Sequence, residues 1–405
     1  MQQDYDLLIV GGGLAGNCLA LKLAKSGLKI AIIEANTRQQ LQSAPSGDRA
    51  LALAAGTILM LETLDAWQGI RDAATAIKHI HISDRGHFGK TRLAAEKENV
   101  EALGYVITAR ELESHISHLV DATCIEVISP ARVVGLMSGD KQIHVSLKRS
   151  NENLNLSAKL LVGADGGYSS VRQLLDITQQ SVNYGQTAIV TTVNLSLPHN
   201  NTAFERFTSS GPLALLPLTK NQSAVIWTRT TEDAENLMLE NEADFLTELQ
   251  NCFGYKLGQL SLAAPRRAFP LSLIRAEKML ADRAVIIGNA VHQLHPVAGQ
   301  GFNLGLRDVV NLADKLIAQA VNNTDIGAKD FLNAYANSRN KDHDRTIGFT
   351  DAVVKIFSNE WLAMALIRNI GLTLLDHIPS IKHILTRHAM GLDEIDLDSP
   401  RIAEE

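Results

Sequence analysis

The chain has 405 residues, more than one hydrophobic core ordinarily serves, so two units are expected. Hydrophobic content of 45% and charged content of 20% are those of a globular protein with a substantial core, and a formal net charge of -6 argues against the basic face of a nucleic-acid binder. Cys18, Cys124 and Cys252 are odd in number, far apart and outside any C-x-x-C, so neither a disulfide framework nor a metal site is expected and a reducing compartment is.

Asp4 and Asp6 stand where a secretory signal would carry basic residues, and no apolar run reaches the roughly 18 residues of a membrane span. The expectation is a cytoplasmic protein, soluble or peripheral on the inner face of a membrane.

The run Leu7-Leu8-Ile9-Val10 opens directly into Gly11-Gly12-Gly13-Leu14-Ala15-Gly16, which is strand, tight turn and helix start with the spacing G-x-G-x-x-G. Gly11 permits the turn, Gly13 lets backbone approach a pyrophosphate, and Gly16 lets the helix pack close to the strand. Ala15, Leu19 and Leu23 repeat at helical spacing, Gly27 stands at the expected stop, and residues 28–33 form a second strand ending at Glu34. An acid there, about 20 residues past the glycines, accepts hydrogen bonds from a ribose and disfavours a 2′-phosphate.

A helix is expected from Asp48 toward Leu64, with Arg49 at its start. A cation there opposes the helix dipole, so Arg49 reads either as a clamp on phosphate or carboxylate or as a surface arginine. Short strands follow between residues 77 and 93, with Asp84-Arg85-Gly86-His87 as a turn, and Arg110 again sits near a helix start. Strand-like runs between residues 124 and 162 are separated by residues 138–141 and 150–153, which suit hairpin turns. They end in Leu160-Leu161-Val162-Gly163-Ala164-Asp165-Gly166-Gly167, where Asp165 suits a ribose, a ribityl chain or a local backbone turn.

Residues 186–274 lose the strand-helix alternation and predict an antiparallel sheet, with a helix over residues 235–249. Leu213-Ala214-Leu215-Leu216 within it reads as a pocket wall or as an ordinary buried strand. A further nucleotide-type strand, Ala284-Val285-Ile286-Ile287, leads into Gly288-Asn289 and then Gly299-Gln300-Gly301-Phe302-Asn303 at a helix start, where backbone approaches a flat or anionic ligand. From Phe331 onward the chain is mostly helical, with apolar stretches over residues 361–367 and 370–375.

Three of these segments together resemble the fingerprints of single-component FAD-dependent aromatic hydroxylases with the para-hydroxybenzoate hydroxylase fold: residues 11–16 with Glu34, Gly163-Ala164-Asp165-Gly166, and residues 288–301 ending in Pro-x-x-Gly-Gln-Gly. Residues 83–87, 203–208 and 294–305 are similar to the hydroxylases of ubiquinone biosynthesis that act on phenols of the 2-octaprenyl-6-methoxyphenol type. The likeness runs to about Gly371.

The resemblance implies an α/β protein: a Rossmann-like FAD-binding domain (residues 1–76, 101–180 and 276–345), an inserted antiparallel β-sheet substrate domain (77–100 and 181–275) and C-terminal helices (346–405). It implies that Gly11, Gly13, Gly16 and Glu34 hold the adenosine half of FAD, with Arg49 and Arg110 near its diphosphate and ribityl regions. Asp165 then lies between flavin and nicotinamide, and Gly299, Gln300, Gly301 and Asn303 lie against the isoalloxazine ring. Asn289 departs from the family, which normally places an aspartate on the ribityl chain; an amide still accepts a hydrogen bond.

The implied chemistry is reduction of bound FAD by transient NAD(P)H, reaction with O2, and transfer of one oxygen atom to a prenylated phenol. His295 is the candidate polar catalytic contact, or else a structural histidine. The C-terminal helices are the expected contact with a membrane surface or with partner proteins of ubiquinone biosynthesis. An FAD-dependent prenyl-chain reductase and a non-catalytic flavin-binding assembly component are the alternative functions.

Overall fold

The computed structural model describes residues 3–85, 89–150 and 152–357, together with 383, 386, 387 and 390–392. Gln3–Val10 is a central strand that pairs in parallel with Ile30–Ile33 on one side and Glu152–Gly163 on the other. Ala284–Ile286 extends the sheet beyond Glu152–Gly163, and Glu126–Ile128 extends it beyond Ile30–Ile33, both in parallel. Leu7, Leu8, Ile9, Ile32, Leu160, Leu161 and Val285 are all fully buried, as strands covered on both faces require. The helices Leu14–Leu23 and Gln300–Val321 pack against each other over this sheet, and Ala109–Asp121 packs on the first of them.

A second sheet has nine strands. Its order runs His292–Gln293, Arg267–Ala276, Gln179–Leu195, Gln222–Thr230, Gly211–Leu218, Thr202–Thr208, His79–Asp84 and Lys90–Ala94, with Leu260–Leu262 paired to the end of Gln179–Leu195. The pairing is antiparallel except where Thr202–Thr208 runs parallel to His79–Asp84, two segments that meet from distant parts of the chain. Thr231–Leu239 and Glu242–Phe253 close one face over a core that includes Ile189, Leu213, Val225, Trp227 and Phe245. Leu213 and Leu215 are thus buried strand residues.

Two sequence expectations fail for identifiable reasons. The helix expected over residues 48–64 divides into a strand, Ala50–Ala54, and a helix, Ala55–Glu62. Alanine and leucine favour helix, but Leu51 to Ala54 pair with Gly104–Thr108 in a three-stranded sheet, and that pairing overrides propensity. Arg49 therefore follows a 3₁₀ turn, Pro45–Asp48, and the dipole argument for it lapses. The helix expected over residues 235–249 breaks at Glu240, whose backbone is extended; Asn241 starts the next helix by accepting from the Asp244 N–H at 3.0 Å. Gly86, His87 and the apolar stretches 361–367 and 370–375 lie outside the described residues.

A buried ionic cluster fastens Lys329–Phe357 to the rest of the molecule. Asp308, on Gln300–Val321, accepts from His292 Nε2 (3.0 Å), His343 Nε2 (2.7 Å) and Arg339 Nε (2.8 Å). Asp342 accepts from Arg307 through Nε (2.8 Å) and a terminal nitrogen (3.0 Å), and from Arg339. Burial pushes the Asp342 carboxyl up, but Arg307 and Arg339 outweigh it and hold the group down at about 2.

Because this pKa is depressed on folding, the stabilisation is complete above the ordinary carboxylate value of about 3.9 and is lost as pH falls toward about 2. At about 1.4 kcal/mol per pKa unit it amounts to ~2 kcal/mol. We expect Asp342→Asn to lower the melting temperature at pH 7 and to flatten its fall between pH 4 and pH 2, measured by thermal denaturation across that range. Parallel wild-type and variant curves would show that Asp342 does not carry the acid sensitivity.

Candidate functional site

The register of the parallel sheet aligns its exits. Val10 pairs with Ile33 and with Gly163, and Gly163 pairs with Ile286, so Gly11, Glu34, Ala164-Asp165 and Gly288-Asn289 emerge side by side at the carboxyl edge. Gly11 has φ +109°, and a Cβ there would lie 2.4 Å from the Ala164 carbonyl oxygen; a Cβ on Gly16 would lie 1.9 Å from the Gly11 carbonyl oxygen. Gly13 is different, since a Cβ there would meet nothing within 4 Å. The first two glycines close backbone against backbone, and the third leaves space.

Glu34 is buried at the end of its strand. One of its oxygens accepts from the Gly12 N–H (2.7 Å), the other from the Asn36 backbone N–H (2.7 Å) and side-chain amide (3.1 Å). A carboxylate offers about four lone-pair positions, so capacity remains for a ribose hydroxyl. Asn17, which the sequence reading did not single out, locks the same turn by donating to the Gly12 carbonyl at 2.6 Å.

Asp165 acts locally. It accepts from the Ser169 hydroxyl, from the Ser170 hydroxyl (2.9 Å) and from the Val171 N–H (3.1 Å), which ties its turn to the helix Ser170–Leu174. Arg172 in that helix is buried and joins two fingerprints, donating to the Ala290 carbonyl (2.8 Å) and the Gly167 carbonyl (2.8 Å). Its signal in the sequence is a charge set among Val171, Leu174 and Leu175. Asn289 itself is exposed within the 3₁₀ turn Gly288–Ala290.

Gly299 starts the long helix in a left-handed conformation (φ +61°), with a would-be Cβ 3.0 Å from Ala52, while a Cβ on Gly301 would meet nothing within 4 Å. Gln300 and Asn303 are buried. Asn303 is fully engaged: its oxygen accepts from the Ala54 N–H (3.1 Å) and Thr57 hydroxyl (2.7 Å), and its amide donates to the carbonyls of Ala52 (3.1 Å) and Gly299 (2.8 Å). Its side chain is a strut between the helix start and the Ala50–Ala54 strand. Thr57 and that strand were missed from sequence because residues 48–64 read as one helix.

Of the two arginines, Arg110 lies in the first turn of Ala109–Asp121, which Thr108 and Glu111 cap reciprocally. It donates to Asp48 (2.6 Å) and to the Ala44 carbonyl (3.1 Å). Arg49 donates to the Ser46 carbonyl (3.0 Å) and stands over the Phe269 ring at 5.8 Å from its centroid, linking the region to the nine-stranded sheet.

His295 is 1% exposed, and burial alone pushes its imidazolium pKa down to about 4. The Val297 N–H donates to Nδ1 at 3.1 Å, so Nδ1 keeps its lone pair. A neutral ring with a free pair on Nδ1 carries its proton on Nε2. That nitrogen is buried and has no acceptor among the described residues. Among the described residues His295 is therefore a donor without an acceptor, at a cost of about 1–3 kcal/mol. The Tyr184 ring stands edge-on to it at 5.5 Å, and Phe207, Val297 and Val354 make up the apolar cluster that includes Tyr184.

His292, Asp308 and His343 bring three potential metal ligands within 4.8 Å of one another. The carboxylate between them already balances Arg339, and both histidines direct Nε2 at it, so the charge of the cluster is met by protein groups.

The residues fit FAD on two counts. Neither Leu14–Leu23 nor Gln300–Val321 has a side-chain cap or a first-turn acid, whereas Thr108, Thr230 and Asn241 cap their helices with side chains. Uncapped N–H groups and a partial positive charge thus face the spaces beside Gly13 and Gly301, as phosphate and an electron-rich ring require. We expect Gly13→Ala to keep the melting temperature of the cofactor-free protein, since its extended backbone (φ -80°) tolerates a side chain, and to weaken FAD binding at least about tenfold by filling the cradle. Differential scanning calorimetry and fluorescence titration with FAD check the two halves, and unchanged affinity would remove Gly13 from the site.

The family profile described as "FAD binding domain" matches residues 4–350. Ubiquinone hydroxylase UbiL of Rhodospirillum rubrum is 33% identical over 98% of this chain and 92% of its own. The mitochondrial ubiquinone biosynthesis monooxygenase COQ6 of Homo sapiens is 27% identical over 93% of this chain and 91% of its own. Among solved structures, p-nitrophenol 4-monooxygenase PnpA from Pseudomonas putida DLL-E4 superposes with a TM-score of 0.80 at 18% identity, over 96% of this chain and 99% of that one, a likeness of fold. A glycine cradle at the carboxyl edge, two uncapped helix starts and a profile covering most of the chain agree: the chain belongs to the FAD binding domain family, among the flavin-dependent monooxygenases.

Proposed function

We propose that this protein hydroxylates the ring of a prenylated phenol of the 2-octaprenyl-6-methoxyphenol type in ubiquinone biosynthesis, using O2 and NAD(P)H. The observation that carries the reading is similarity to UbiL, 33% identical along 98% of the chain. When bound, FAD supplies the redox chemistry, taking electrons from NAD(P)H and delivering one oxygen atom of O2.

In this reading Gly11, Gly13, Gly16 and Glu34 hold the adenosine half, Arg49 and Arg110 lie toward the diphosphate, and Asn289 accepts from the ribityl chain. Gly299, Gln300 and Gly301 face the ring system, with Asn303 holding their helix start in place. Residues 1–76, 101–180 and 276–345 form the FAD-binding unit and residues 77–100 and 181–275 the substrate unit; the C-terminal helices expected over residues 346–405 lie mostly outside the described residues.

His295 takes the phenol oxygen. Its Nε2–H matches an oxygen acceptor, and a hydrogen bond there stabilises negative charge as it develops on the phenol oxygen. The histidine is a donor here and not the base, because its Nδ1 pair is held by Val297 and its proton sits on Nε2. No helix among the described residues is long and apolar enough to cross a membrane.

The test is product analysis with O2, NADH or NADPH, a prenylated phenol and its tail-less analogue. Each buried tail methylene is worth about 0.8 kcal/mol, so the prenylated phenol should have the higher specificity constant. Equal constants would show that the tail is not recognised. We further expect His295→Leu to lower kcat about 100-fold, as loss of one oxyanion donor does, with His295→Gln partly restoring it. The wild-type rate should show no titration of His295 between pH 5 and pH 9, because its pKa lies near 4. A limb near pH 6.5 that His295→Gln abolishes would reverse the assignment to a base.

A further inference from the structure

The strand Gly211–Leu218 has two unlike faces. Leu213 and Leu215 lie under the helices Thr231–Leu239 and Glu242–Phe253 and are fully buried, as are Val225 and Trp227 beside them. Ala214, Leu216 and Leu218 alternate onto the other face, with Ile226 opposite Ala214, and each stays partly exposed. That second face does not look into open solvent. Leu216 and Leu218 share an apolar cluster with Ala50, Ala52 and Val106, which lie together on one face of the three-stranded sheet. Side chains between two sheets that close on each other are packed as tightly as the rest of a core. The partial exposure of Ala50, Ala52, Leu216 and Leu218 therefore marks a cleft between the two sheets.

The cleft is continuous with the candidate site. Ala52 Cβ is the atom nearest to a would-be Cβ on Gly299, at 3.0 Å, so one wall of the cleft borders the start of the long helix. Phe207 pairs opposite Pro212 and belongs with Val297 to the cluster around Tyr184, whose ring meets His295. From that end Ala214, Leu216 and Leu218 step away along one strand, and the rise of a strand puts ~14 Å between the first and the last. Asp84 and Glu205 share this face of the sheet, opposite Phe207 and Ala214, toward the His295 end. Farther along, Leu216 and Leu218 meet the alanines of the facing sheet with Ile77 and Val106 buried behind them.

We infer that the isoprenoid tail of the substrate lies in this cleft, along Leu216 and Leu218 on one wall and Ala50 and Ala52 on the other, and that these side chains set the preference for a prenylated phenol. The identity of the ligand rests on the proposed function; the cleft itself does not. An apolar wall that begins at the ring site gives a hydrocarbon chain the burial that drives its binding, and gives a tail-less phenol nothing. The two alanines leave width that larger residues on the same strand would fill.

The experiment is calorimetric titration, with turnover measured in parallel, of the FAD-loaded full chain against 2-methoxyphenol and its derivatives carrying a prenyl, geranyl or farnesyl tail. The wild-type dissociation constant should fall at least about tenfold from the tail-less phenol to the farnesyl derivative, since the burial of a tail exceeds the cost of ordering it. Leu216→Gln and Leu218→Gln are close to leucine in volume but polar, and each should remove about tenfold of that gain. Affinity for the tail-less phenol, FAD content and melting temperature should stay at wild-type values. If Leu216→Gln does not fold, Leu218→Gln, at the end of the strand, decides. Variants that keep the full wild-type gain, or that weaken the tail-less phenol as much as the farnesyl derivative, would overturn the inference. The two claims part at turnover: hydroxylation with a tail preference that both variants retain leaves the proposed function standing and removes the cleft. Tail-dependent binding that the variants lose, in a wild type without turnover, supports the cleft and removes the hydroxylation.

Discussion

The register of one parallel sheet governs the rest of the molecule. Because Val10 is level with Ile33 and Gly163, and Gly163 with Ile286, four chain exits meet along one line. A slip of one residue would exchange the two differently packed faces of a strand and move a glycine away from its close neighbour, so packing and ligand geometry are enforced together. The near-continuous Leu, Ile and Val content of these strands is what allows burial on both sides. The cradle is thus the boundary of the core and not an addition to it.

Much of this was legible in the sequence, because it is local. An apolar run opening into G-x-G-x-x-G specifies strand, turn and helix within about 20 residues, and the same logic found Gly163-Ala164-Asp165 and Gly288 to Gly301. What was not legible depends on partners far away in the chain. Residues 50–54 have helical composition and become a strand only because residues 104–108 lie beside them. Asn303 looked like a ligand-facing residue, yet its bonds run to Ala52, Ala54, Thr57 and Gly299. For Asp165 ligand-binding and local roles were both open, and its bonds from the hydroxyls of Ser169 and Ser170 fill the local one without using every lone pair of the carboxylate.

Histidine chemistry shows the same division. Residue type alone left His295 as either catalytic or structural, and the deciding facts are a backbone N–H two residues later and the absence of an acceptor among the described residues. His292, three residues earlier, has the opposite surroundings: its Nε2 is held by Asp308, which in turn balances Arg339. One histidine is consumed by a buried ionic cluster, and the other keeps a proton donor in reserve. Burial lowers both pKa values, that of His295 to about 4.

The short strand His292–Gln293 belongs to two structures at once. It hydrogen-bonds to Ile274-Arg275 as the last strand of the nine-stranded sheet, and it leads within two residues to His295 and within seven to the left-handed Gly299. Arg172 grips the Ala290 carbonyl just before it, and Asp308 grips the His292 ring. Anchored at both points, this one peptide fixes the His295 ring and the helix start at Gly299 relative to the edge of the nine-stranded sheet, so a change in either anchor would be felt by both.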